Sequence, residues 1–154
     1  MSEPPALPPS GSEPPTACFK AVFPATRAAI GPVRRELRGC LEESGLARIA
    51  DDVALAASEL MTNAVIHGCH GLPPTSEVTL TAAWTEQRLR VAVDDPSDAL
   101  PAEQEASASR AGGRGLTLVD ALSDRWGVET GGRGCGKSVW LELDLAFAAE
   151  ECVA

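Results

Sequence analysis

The sequence predicts an α+β fold, a mostly antiparallel sheet with helices packed on one face. Two observations lead there. Segments of alternating apolar residues come in adjacent pairs, as hairpins do, and segments with helical spacing stand in separate blocks between them. Bulk composition agrees: 154 residues with 44% apolar and 23% charged side chains are enough to enclose one core.

Six of the twelve prolines fall in residues 1–15, with almost no bulky apolar side chain, so this stretch reads as a disordered Pro-rich tail before a domain over 16–154. Residues 18–23, CFKAVF, alternate as a short strand that Pro24 should end. The next segment carries Val33, Leu37 and Leu41 at helical spacing. Pro32 interrupts its early part, Gly45 stops it, and Arg34, Arg35 and Arg38 form a solvated flank. A long helix is expected from Ala47 to His67, with an apolar stripe from Ile49 to Val65 and Gly68 as its C-terminal stop.

Residues 71–76 read as a turn. Val78-Leu80-Ala82-Trp84 and Leu89-Val91-Val93 follow as two alternating runs joined by TEQ, a hairpin. A polar, small-residue stretch runs from 97 to 113. A helix should start near Gly115, and two more strands should flank the Gly-rich turn before GKSVW.

The formal net charge of −9 argues against nucleic acid and anionic membrane surfaces as partners. No apolar run is long enough for a membrane helix, and the N-terminus lacks the basic and apolar regions of a secretory signal. Five scattered cysteines with no CxxC pair predict reduced thiols in the cytoplasm. The His67, Cys69, His70 spacing fits no standard zinc pattern and reads as a helix end.

Four places put polar or glycine residues where a core element ends or bends. Glu59 and Asn63 lie four apart, on one flank of a helix. A carboxylate there can take a proton, and a carboxamide oxygen can ligate a hard cation. Asp95 follows a strand and precedes Pro96, placed to accept a hydrogen bond from a ligand amine. Gly113, Arg114 and Gly115 lead straight into a helix, where backbone N–H groups and the helix dipole suit a phosphate. The fourth is the GCGKSVW turn before the last strand. Singly, each reads as an ordinary solvated face or turn, and GGRG lacks the Walker A spacing.

In this order, SELMTNAVIHG, VAVDDPSDALP, GGRGLTLVDALSDRWGV and GKSVWLEL resemble the four boxes of the histidine-kinase-like (GHKL, Bergerat-fold) ATPases over residues 18 to 145. Within that superfamily they look most like the anti-sigma factor serine-protein kinases. The resemblance implies ATP and Mg2+ as cofactors. It implies Asn63 as the magnesium ligand, Glu59 as general base, and Asp95 as acceptor of the adenine amino group. Gly113, Arg114 and Gly115 would meet the phosphates, and Ser138 would stand near adenine, while His67 would be structural.

The implied activity is phosphorylation of Ser or Thr on a small antagonist protein of the STAS class, with a sigma factor as a further candidate partner and a homodimer as a candidate assembly. The alternative is an ATP-binding anti-sigma or partner-switch module without transfer. Two features depart from the pattern: Asp95-Pro96-Ser97 replaces the wider superfamily's D-x-G-x-G, and the stretch from 97 to 113 holds one basic residue, Arg110, before the glycines. A complete sensor histidine kinase is not expected, since the length leaves no room for a phosphoacceptor-histidine domain.

Overall fold

A computed structural model of the chain describes residues 17–96, 114–130 and 136–145. The expected tail over 1–15, the stretch from 97 to 113 and the turn over 131–135 lie outside them. Five strands form one sheet: β1 (Ala17–Pro24), β2 (Glu77–Trp84), β3 (Arg88–Asp95), β4 (Arg125–Thr130) and β5 (Lys137–Asp144). Three helices accompany it: α1 (Arg27–Glu43), α2 (Ala47–Asn63) and α3 (Arg114–Leu122). The strand order is β1-β2-β3-β5-β4 and every neighbouring pair is antiparallel. The element order and the α+β class are those the sequence predicts.

Strand alternation divides the sheet. Val78 and Leu80 of β2, Leu89, Val91 and Val93 of β3, and Leu141 of β5 are fully buried against the helices. Leu37 and Leu41 of α1, and Val53, Ala57, Leu60 and Met61 of α2, close the core from the other side. α2 packs against both α1 and α3, and Val119 is the fully buried contact of α3.

The opposite face is held by charge. Arg90 and Glu142 face each other across β3 and β5 at 3.2 Å, their side chains only 7% and 3% exposed. Arg125 reaches the same Glu142 at 3.0 Å, and the Arg90 guanidinium lies 4.6 Å from the ring centre of Trp140. Gly127 is opposite Trp140, and a Cβ there would sit 2.8 Å from the indole, so the ring lies flat across a strand position with no side chain.

Pro24 ends β1 as expected, as its last residue. Two local expectations are corrected. Pro32 does not interrupt α1, which is continuous through it. The i−4 carbonyl that the proline leaves without a helical donor belongs to Ala28 in the exposed first turn, where water can serve it. The helix expected from Ala47 to His67 is α-helical only to Asn63 and continues as a π-helical turn over Ala64–Gly68. The Gly45 stop holds. Its φ is +84°, and Leu46 N–H donates to the Leu41 carbonyl at 2.8 Å, the Schellman closure.

Candidate functional site

The site is built where α2, β3 and β5 end or begin together. On α2, Glu59 and Asn63 are half-buried and flank the buried Leu60 and Ala64. Their neighbours Ser58 and Thr62 turn their hydroxyls inward, donating to the carbonyls of Leu55 and Ser58 at 2.7 Å. Those two hydroxyls serve the helix itself, whereas Glu59 and Asn63 keep hard oxygens partly open to solvent. His67 is exposed at the helix end.

Past Asn63 the helix widens. Cys69 N–H donates to the Ala64 carbonyl at 2.8 Å, five residues back rather than four. Such single π turns recur at functional sites because they re-aim the chain without ending the helix. Here the turn brings Gly68 down onto Asp95. A Cβ on Gly68 would lie 2.4 Å from Asp95 Oδ2 and 2.6 Å from Cγ. Gly68 is the last helical residue, as the sequence suggested, but its φ lies outside the left-handed region. Glycine stands there because a carboxylate occupies the space a side chain would need.

Asp95 is the last residue of β3, and its cross-strand partner is Lys137, the first residue of β5. Lys137 Nζ lies 3.1 Å from Oδ1 and 3.0 Å from Oδ2, and the two side chains are 1% and 3% exposed for Asp95 and Lys137. Gly136 precedes Lys137 with φ +81°, and a Cβ there would lie 2.6 Å from the Asp95 carbonyl oxygen. Asp95 is thus clasped by two glycines and one ammonium. The same surroundings reach Cys69: burial pushes its thiol pKa up, the Asp95 charge adds to the rise, and the Lys137 charge opposes it.

The register does not bring Ser138 to Asp95. Ser138 pairs with Asp94, on the face turned away from the helices, and the residue on the helix side is Lys137. Sequence reading missed Lys137, although the signal existed: Val139, Leu141 and Leu143 alternate inward, and that parity extends to 137. Arg114 and Gly115 form the first turn of α3, the helix that packs on α2. Gly113 lies outside the described residues. Among those residues there is no group of three or more His, Cys, Asp or Glu side chains placed to hold a metal ion. No helix among them is long and apolar enough to cross a membrane.

A family model described as the histidine kinase-like ATPase domain matches residues 23–143, from the end of β1 through β5. The chain belongs to the histidine kinase-like ATPase family. It is also similar to an uncharacterized protein of Streptomyces coelicolor, 35% identical over 77 residues, which cover 49% of this chain and 70% of that protein. Family membership implies ATP binding, and the described residues fit such a ligand. Asp95 supplies a buried carboxylate acceptor, Glu59 and Asn63 are half-buried side chains with hard oxygens, and α3 packs beside α2.

Proposed function

We propose that this histidine kinase-like ATPase is an ATP-dependent protein kinase that phosphorylates Ser or Thr of a small STAS-type antagonist protein, acting in the cytoplasm with a sigma factor as a further partner. One observation carries the reading. Glu59 and Asn63 are both present, one helical turn apart and half-buried on the same flank of α2, where a pure binding module has no use for the base.

Phosphoryl transfer depends on positioning and charge neutralisation more than on covalent chemistry. Asp95 accepts a hydrogen bond from the adenine amine and fixes the base. Asn63 holds magnesium through its side-chain oxygen, and that ion, when bound, neutralises phosphate charge. Glu59 takes the proton of the attacking hydroxyl. Gly113, Arg114 and Gly115 are the residues assigned to the phosphates, by way of backbone N–H groups and the arginine charge.

The test pairs two substitutions on a partner recovered by pull-down and then purified, mixed with labelled ATP and magnesium. Glu59→Gln keeps shape but cannot take the proton, so ATP affinity should hold while transfer falls about 10²-fold or more. Asn63→Ala should weaken ATP binding and transfer together. A Glu59→Gln variant that transfers at the parental rate would remove the base assignment. A parent that binds ATP yet labels no recovered partner would leave the non-catalytic partner-switch reading standing instead.

A further inference from the structure

The carboxylate assigned to the adenine amine does not work alone. Lys137 stands directly across the ladder from Asp95, with its ammonium at 3.0 and 3.1 Å from the two carboxylate oxygens. Both side chains are almost wholly buried. Burying an ammonium is costly even when it is paired, and apolar replacements of such pairs are often neutral or stabilising. The pair is nonetheless held by two backbone segments that give up side chains to close on Asp95, Gly68 and Gly136. Charge of both signs is therefore fixed, in a set order on two neighbouring strands, at the place where the base is to be read.

We propose that Lys137 is a second base-reading residue: Asp95 accepts from the exocyclic amine of adenine while Lys137 donates to the ring nitrogen beside that amine. The inference rests on the ATP-binding reading and deepens it. Adenine presents an N6 amine donor flanked by acceptor ring nitrogens, N1 on one side and N7 on the other. A carboxylate offers about four acceptor sites and an ammonium three donors, more than their mutual contact consumes. Guanine carries the O6 acceptor where adenine has its amine. In the same pose that oxygen meets the Asp95 carboxylate, acceptor against acceptor. Where Lys137 reads N1, the N1–H of guanine also meets the ammonium, donor against donor, and guanine is rejected twice; where it reads N7, an acceptor in both purines, the carboxylate alone rejects guanine.

Calorimetric titration with ATP, 1-deaza-ATP, 7-deaza-ATP and GTP, on the parent and on Lys137→Met, tests this. The parent should bind one of the two deaza analogues roughly tenfold or more weakly than ATP, the scale of a hydrogen bond to a charged group. Which analogue suffers tells N1 from N7, and Lys137→Met should erase that gap. Equal affinity of the parent for all three adenine nucleotides overturns the proposal and leaves Lys137 a mere counter-ion of Asp95. A gap that survives in Lys137→Met overturns it too.

Because that variant strips a buried carboxylate of its partner and can fail to fold, a second measurement uses the unaltered protein. The chain holds two lysines, the exposed Lys20 and the buried Lys137, so lysine-selective 15N labelling reports on Lys137 almost alone. ATP should shift its ammonium resonance, and the analogue lacking the acceptor should not reproduce that shift. An ammonium signal indifferent to saturating ATP refutes the base contact. A parent that binds no nucleotide at all refutes the ATP reading itself, an outcome distinct from equal binding of the analogues, and takes this inference with it.

Discussion

Gly68→Ala should destabilise the protein and weaken ATP binding, although a helix-type backbone ordinarily welcomes the change. Gly68 closes the π turn with a φ outside the left-handed region, so alanine meets no backbone strain there. Replacing glycine by alanine in such a backbone gains about 0.5–1 kcal/mol. Opposing that, the new methyl would lie 2.4 Å from Asp95 Oδ2, 2.6 Å from Cγ and 3.0 Å from Oδ1. The carboxylate cannot simply swing aside, because Lys137 holds it at 3.0 Å and both side chains are buried. Overpacking costs about 1–3 kcal/mol, and any loosening of the buried ion pair adds to it. The clash therefore wins, with a net loss of about 1–3 kcal/mol. At roughly 2–4 °C per kcal/mol for a chain of this size, the melting temperature should fall by about 2–12 °C. Gly39→Ala is the control. A Cβ at Gly39 in α1 meets nothing within 4 Å, so this change should leave the protein as stable or slightly more so. Urea denaturation of both variants, with ATP titration of each, checks the pair. If Gly68→Ala melts with the parent and binds ATP equally well, the close approach to Asp95 does not constrain the fold and the reasoning fails.

The helix-free face supplies two further tests. Glu142→Gln removes the charge that Arg90 and Arg125 share at 3.2 and 3.0 Å and leaves the buried Arg90 with Glu129 at 3.4 Å as its remaining carboxylate among the described residues. Urea unfolding should show a loss of about 3 kcal/mol, whereas Arg38→Ala, which breaks exposed pairs to Glu42 and Asp51, should cost under ~1 kcal/mol. The Asp144 carboxyl is held below its ordinary range chiefly by the hydrogen bond from Arg125, with the Arg125 and Arg88 charges helping and burial opposing. A depressed folded-state pKa gives stability that is present above the unfolded pKa, about pH 3.9, and is lost as pH falls through the folded value. Asp144→Asn should therefore lower the urea midpoint at pH 5 and converge on the parent as pH drops toward 2.5. A stability gap that stays constant over that range would contradict the linkage.

The layer architecture was legible because it follows from period alone. Alternation in 78–84 and 89–93 and helical spacing in 33–41 and 49–65 fix which residues face the helices, and burial follows that division in α1 and α2, whereas β2 and β3 also bury Thr81, Ala83, Arg90 and Ala92 on the other face. Asp95 was legible as a candidate only in company: a carboxylate before a proline commonly begins a turn, and the order of the four boxes singled it out. The π turn was not, since a helix that widens by one residue keeps its apolar spacing nearly unchanged through Val65. The continuity of α1 through Pro32 was hidden as well. The rule that proline breaks helices holds for carbonyls that cannot reach water, and the exposure of Ala28 is a tertiary fact.

Gly68 and Lys137 were missed for a shared reason, and it bears on how such sites are read. Both residues act through Asp95, which lies 27 residues after Gly68 and 42 before Lys137, and the three meet only through the sheet register and the π turn. A glycine before a turn has a sufficient local explanation, and so does a lysine after one. Only the cross-strand pairing of 95 with 137, with the π turn closing above it, converts two ordinary residues into the wall and the counter-charge of a single carboxylate. The consequence is that Asp95 sits at a centre of stability and at the proposed centre of base recognition at once. Whatever reaches Asp95 must either share it with Lys137 or displace Lys137, and displacement would leave an ammonium buried without its partner. Sharing is the cheaper of the two by the full penalty of an unpaired buried charge, several kcal/mol, so Lys137 stays at the carboxylate when a base arrives, the position from which the proposed contact to the ring nitrogen is made.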